Sequence, residues 1–160
     1  MGIEHSFCYL TVRSGKVTSR TDDVWHVDGY SEKITHLPEQ NYIWCDKFPT
    51  EYVEKAFKIP DDFNPKIHNI HLFLQEEIEK SNTPVLKLEP KTLYCLDPYV
   101  VHRRPYVPED ETRTFVRISF TPIEIVDDNN THNPLLERNN PSYDGIKDFR
   151  NKLIRYKHSV

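Results

Sequence analysis

Thr112-Arg113-Thr114-Phe115-Val116-Arg117-Ile118-Ser119-Phe120 is the plainest strand in this chain. β-Branched and aromatic residues fill it, and a period of two puts Thr114, Val116, Ile118 and Phe120 on one face and Arg113, Phe115, Arg117 and Ser119 on the other. Two arginines beside a phenylalanine and a serine make an odd face for solvent. An edge strand pairing with acidic neighbours would account for them. So would a guanidinium fork that grips a carboxylate from two sides.

Working outward, β character recurs in short pieces. Residues 6–13 alternate and are expected as a first strand, with Ser14-Gly15-Lys16 as its turn. Residues 24–27 are a second strand ending at Asp28-Gly29, and 85–88, 92–96 and 99–102 are three more, broken by Glu89-Pro90 and Asp97-Pro98. Residues 105–111 form a loop. Between these runs lies an insert, about residues 32–83, expected to be helical: 49–58 carries Tyr52, Val53, Ala56 and Phe57 at helical spacing, and 65–80 carries Ile67, Ile70, Leu74 and Ile78 on one stripe behind an Asn64-Pro65 start. Residues 127–143, rich in asparagine and proline, read as an ordered loop or tail. An amphipathic helix over 144–157 then presents Ile146, Phe149, Leu153 and Tyr156 and packs outside the domain or on a second copy in a homodimer.

The chain's 160 residues suit a single domain, 1–160, able to bury about two-thirds of its unfolded surface. Four glycines against twelve prolines, nine tyrosines and eight phenylalanines favour strands and stiff loops over a helical bundle. They also leave almost no material for a phosphate-cradling loop. A net charge of −4 argues against a nonspecific nucleic-acid binder. Three cysteines without metal-type spacing, no apolar leader and no membrane-length apolar run give the expectation of a reduced, cytoplasmic setting.

The chemistry-bearing residues come in a definite order. His26 and Asp28 share one face if residues 24–28 are extended, whereas a helix would set them about 200° apart. His102 follows 74 residues after Asp28, and Arg113 and Arg117 come 11 and 15 residues after His102. Two imidazoles and one carboxylate can occupy one face of an octahedral ferrous ion and leave three positions open. The same Asp28-Gly29 also reads as a hairpin corner, and His102 as a hydrogen-bonded strand end.

In Trp25-His26-Val27-Asp28-Gly29, Tyr99-Val100-Val101-His102 and Arg113 through Phe120 the chain resembles the Fe(II)- and 2-oxoglutarate-dependent oxygenases over roughly residues 25–120. The resemblance implies a mainly β fold with inserted helices, a double-stranded β-helix or cupin-like jelly roll. It implies Fe(II) on His26, Asp28 and His102, with 2-oxoglutarate and dioxygen as co-reactants. It implies hydroxylation of a substrate C–H bond as 2-oxoglutarate is converted to succinate and CO2. The oxo-acid's far carboxylate would be held by Arg113, which a hairpin centred on Val107-Pro108 would set beside His102, or by Arg117 with Ser119 as an Arg-x-Ser pair. Arg103 and Arg104 are the expected contacts to an anionic small-molecule or nucleotide-like substrate, and the 32–83 insert is the expected lid.

Two other functions fit the same residues. A cupin-like isomerase or dioxygenase would use the metal without 2-oxoglutarate, and a jelly-roll binding module would use no metal. His68 and His71 are spaced i, i+3 but lack a carboxylate partner, and His36 and His132 are loop histidines.

Overall fold

The computed structural model describes residues 7–17, 23–28, 39–64 and 67–122. The expected 144–157 helix and the whole 127–143 loop before it lie outside the described residues. So do His36 and His132.

Among the described residues seven strands and one helix follow in the order β1 (Phe7–Lys16), β2 (Gln40–Cys45), β3 (Glu51–Tyr52), α1 (Ile70–Lys80), β4 (Leu86–Lys87), β5 (Tyr94–Leu96), β6 (His102–Arg103) and β7 (Thr112–Thr121). The described part is therefore mainly β, in two antiparallel sheets ordered β1-β7-β2-β5 and β4-β3-β6. The short segment carrying His26 extends the smaller sheet through one bridge to His102.

β7 is the long central strand, paired along ten residues with β1 and along six with β2. Its register sets Arg117 opposite Thr11 and Ile43, and Ser119 opposite Tyr9 and Asn41. Gly15, expected in a turn, instead lies within β1 at φ 122°, a conformation that only a residue without a Cβ adopts cheaply. The strand therefore runs on to Lys16.

β2 corrects the expectation that the insert is mostly helical. Asn41, Ile43 and Cys45 are buried while Gln40, Tyr42 and Trp44 are half-buried, the two-residue period of a strand with one face in the core. The helix expected over 49–58 is absent as well. Val53 donates its N–H to Val101 (3.1 Å) and Leu88 donates to Thr50 (3.1 Å), so sheet partners take up the backbone groups that a helix would have used internally.

α1 begins later than expected. Asn69 caps it, its Oδ1 accepting from the N–H groups of His71 (2.9 Å) and Leu72 (3.3 Å), and Ile67 is left exposed. The remaining stripe of Ile70, Leu74 and Ile78 packs with Trp25, Val53 and Val101 into the main apolar cluster. No helix among the described residues is long and apolar enough to cross a membrane.

Candidate metal centre

His26 and His102 lie directly across from one another. Each donates its backbone N–H to the other's carbonyl, at 3.0 and 2.9 Å. Residues directly opposite in an antiparallel pair share a face, so both imidazoles leave the smaller sheet on the same side, with ring centres 4.4 Å apart. Asp28, two residues on from His26, joins them. One ligand atom from each of the three lies within 4.8 Å of the other two, and all three residues are buried.

The local hydrogen bonds orient both histidine rings. His26 Nδ1 is 2.8 Å from the Val24 carbonyl, and His102 Nδ1 is 2.8 Å from the Val100 carbonyl. A carbonyl oxygen only accepts, so Nδ1 carries a proton in each ring, and in the neutral ring Nε2 presents its lone pair. His102 Nε2 stands 3.6 Å from Asp28 Oδ2. A carbonyl behind each ring is the usual means of fixing tautomer and orientation in a metal-binding histidine.

The larger sheet supplies the other wall. Asn41, fully buried on β2, donates from Nδ2 to Asp28 Oδ2 (3.1 Å) and accepts at Oδ1 from the Ser119 hydroxyl of β7. Arg117, one inward position along from Ser119, brings a terminal nitrogen to 3.8 Å from Asp28 Oδ1. Its Nε is buried and has no hydrogen-bond partner among the described residues. Sequence reasoning missed Asn41. Its signal was a lone amide at an inward position of an alternating run.

The two arginines of β7 separate in space. β6 pairs with β3 and β7 pairs with β1 and β2, so the hairpin that would set Arg113 beside His102 does not form. Arg113 donates from Nε to the Phe48 carbonyl (2.9 Å), and its guanidinium lies 4.8 Å from the centre of the Phe115 ring. It also neighbours Cys45, whose thiol burial pushes up by more than the guanidinium pulls it down. Arg117 is the arginine that reaches Asp28.

Ser119 is on the expected face, but its single proton goes to Asn41, which makes it a support for Asp28 rather than a donor to a ligand carboxylate. Arg103 is also committed elsewhere: it lies over the Trp25 ring (4.3 Å) and pairs through Nε with Glu51 (2.8 Å). Arg104 follows it, half-buried. A cleft of about 500 Å³ is bounded by Tyr52, Tyr94, Leu96, Asp97 and Tyr99 among others. Two of its lining residues are strand neighbours of the site, Tyr52 as the register partner of His102 and Leu96 as that of Asn41, although His26, Asp28 and His102 do not themselves line it.

Of the two helix histidines, His68 is exposed and its Nδ1 accepts from the Asn64 N–H (2.9 Å). His71 is buried against Trp25, 6.4 Å ring to ring from His26. Comparison of the chain with protein-family models, curated proteins and solved structures returns no match, so the site is read from its own geometry.

Proposed function

We propose that the protein is an Fe(II)- and 2-oxoglutarate-dependent oxygenase on a jelly-roll scaffold, with His26, Asp28 and His102 as the metal ligands. The observation that carries this reading is the buried His-Asp-His group with an arginine of the neighbouring sheet beside it. Strand order supports the scaffold. With the His26 segment counted second, the eight extended segments run 1-8-3-6 in one sheet and 5-4-7-2 in the other, the arrangement of a jelly roll.

The donor set fits a ferrous ion. It is two neutral imidazoles and one carboxylate, a facial set that leaves positions open for an oxo-acid and dioxygen. Bound there, Fe(II) would supply the activation of dioxygen that oxidises 2-oxoglutarate to succinate and CO2 and converts a substrate C–H to C–OH, one oxygen atom entering succinate and the other the hydroxyl group. Asn41 and Ser119 hold Asp28 at its angle, and the carbonyls of Val24 and Val100 hold the two rings.

Arg117 is the anchor for the far carboxylate of 2-oxoglutarate. What favours it over Arg113 is its place, with a terminal nitrogen 3.8 Å from Asp28 Oδ1, and a guanidinium fork is a natural partner for a carboxylate. Arg113, engaged at Phe48, is released from that role. The substrate, a small or nucleotide-like molecule, enters by the tyrosine-lined cleft, and Arg104, half-buried beside Arg103, meets an anionic group on it.

One observation favours a second reading. Arg117 leans on Asp28 itself, as a counter-ion would in a cupin-like metalloprotein that does not use 2-oxoglutarate. Anaerobic titration of the Fe(II)-loaded protein with 2-oxoglutarate separates the two. A visible charge-transfer band, present in wild type and lost in His102→Ala, is expected for the oxygenase. Metal binding without a band selects the cupin-like reading, and no metal binding at all leaves a jelly-roll binding module.

A further inference from the structure

The segment that carries two of the three ligands has little regular structure of its own. Residues 23–28 join the smaller sheet by one bridge, the backbone exchange between His26 and His102. Two hydrogen bonds worth about 1 kcal/mol each do not by themselves hold a ligand pair against thermal motion. Something further has to fix the segment.

That support converges on Trp25, the residue before His26. Its ring is 1 % exposed and turned to the opposite side from the ligands, into the cluster of Val53, Ile70 and Leu74. Its carbonyl accepts a hydrogen bond from Nδ1 of His71, on the first turn of α1, at 3.0 Å. Its ring face carries the Arg103 guanidinium at 4.3 Å, and Arg103 follows His102 directly. Arg103 in turn is held by Glu51, its register partner on β3, which Lys87 of β4 also approaches at 3.5 Å.

We infer that His71 and Arg103 are positioning residues for the metal centre, a clamp closed on Trp25 that sets where His26 and Asp28 stand relative to His102. The inference rests on the metal-centre reading above. It gives His71 a task that neither its helical spacing nor a ligand role explains, and it gives Arg103 one away from the substrate. Two features make the clamp effective. Both contacts fall one residue from a ligand, leaving little slack. Each is also strong of its kind: the first joins a fully buried carbonyl to a buried imidazole, and the second sets a partly exposed guanidinium over an indole, its strongest aromatic partner. The order of α1 is thereby tied to the geometry of the ligands.

The test uses the full chain and Co(II) as the probe, with two readouts: Co(II) affinity by calorimetry, and hydrogen exchange of the mutually bonded His26 and His102 amides in the metal-free protein. His71→Leu keeps the packing volume but removes the donor. His71→Asn restores a donor near the position of Nδ1. Arg103→Lys keeps the charge and loses the planar stack. Outer-sphere changes typically weaken metal binding about 10- to 100-fold. The expected result is a loss in that range for His71→Leu, with faster exchange at His26, substantial recovery in His71→Asn, and a smaller loss in Arg103→Lys. Unchanged affinity and exchange in His71→Leu would overturn the inference. So would equal losses in His71→Leu and His71→Asn that follow only the fall in melting temperature, because that pattern is packing alone. If wild type itself fails to bind Co(II), the metal-centre reading falls. The clamp is then decided by exchange: faster His26 exchange in His71→Leu upholds it, and unchanged exchange rejects it.

Discussion

His26 and His102 exchange both backbone hydrogen bonds, and that reciprocal pair brings two residues far apart in sequence to a ring separation of 4.4 Å. Neither side chain has to search for the other. The shared ladder position places both Nε2 atoms on the side from which Asp28 approaches. Added Mn(II) or Fe(II) should raise the melting temperature of wild type, and replacing His102 by alanine should abolish that rise. The metal-free melting temperature should fall by much less than for a core truncation. Thermal melts with and without metal check this, and an undiminished metal shift in the variant would remove His102 from the ligand set.

Arg117 and Arg113 share a strand face but have different neighbours, and their variants should separate accordingly. Arg117→Met should weaken 2-oxoglutarate binding by about 2–3 kcal/mol, a factor on the order of 10², while metal affinity changes little. Arg113→Met should leave 2-oxoglutarate affinity intact. Its cost should appear in stability, because its Nε bonds the carbonyl of Phe48, a non-glycine residue held at φ 52°. Equilibrium titration and denaturant melts of both variants decide the assignment.

Asn41 is fully buried and relays one hydrogen-bond chain from Ser119 to Asp28. Asn41→Ala strips both partners at once and should cost about 2–4 kcal/mol, since each group left buried and unpaired costs roughly 1–3 kcal/mol. Ser119→Ala should cost less, and the double variant should be less destabilised than the sum of the two, as expected for residues in one network. Additive losses in a double-mutant cycle would show the chain to be two separate contacts.

Asp46 joins the end of β2 to β7. Its Oδ1 accepts the N–H groups of Thr114 (2.8 Å) and Lys47 (2.7 Å), and its own N–H reaches the Thr114 carbonyl (3.1 Å). Burial works against its carboxylate, but those N–H donors, its own included, and the Lys47 ammonium outweigh it and hold the pKa below the ordinary 3.8. A carboxyl with a depressed folded pKa stabilises the fold fully above its unfolded value and loses that contribution as pH falls through the folded one. Asp46→Ala should therefore be destabilised relative to wild type at pH 7, and the gap should narrow below about pH 3.8. Denaturant melts at pH 7 and pH 3 measure it, and a gap independent of pH would deny the charge a role.

The three thiols should react unequally. Cys8 and Cys95 are exposed, whereas Cys45 is buried on β2 with its thiol pushed above the ordinary 9.0 by desolvation. The thiolate is the reactive form. Native protein should therefore label quickly at two positions and at the third only on unfolding, which mass spectrometry reads directly. Fast labelling of Cys45 would contradict the placement of β2 at the centre of its sheet.

Local periodicity was enough for β7, for the shared face of His26 and Asp28, and for the buried stripe of α1, because each depends on residues a few positions apart. It also put Arg113, Arg117 and Ser119 on one face. It was not enough to choose among them. Which arginine reaches Asp28 depends on strand pairing, and a period of two names a face without naming the neighbour. The same limit hid β2, whose pairing with β7 outweighed the helical character of the surrounding insert, and with β2 it hid Asn41. Arg103 shows the limit most plainly. Next to His102 in sequence it reads as a cation for a substrate, and only the approach of Trp25 and Glu51, each more than fifty residues earlier by numbering, turns it into a strut. The sequence by itself determined which side chains share a face and which chemistry they carry; the tertiary structure decided which of them meet, because contacts between distant segments are set by sheet register and core packing rather than by local period.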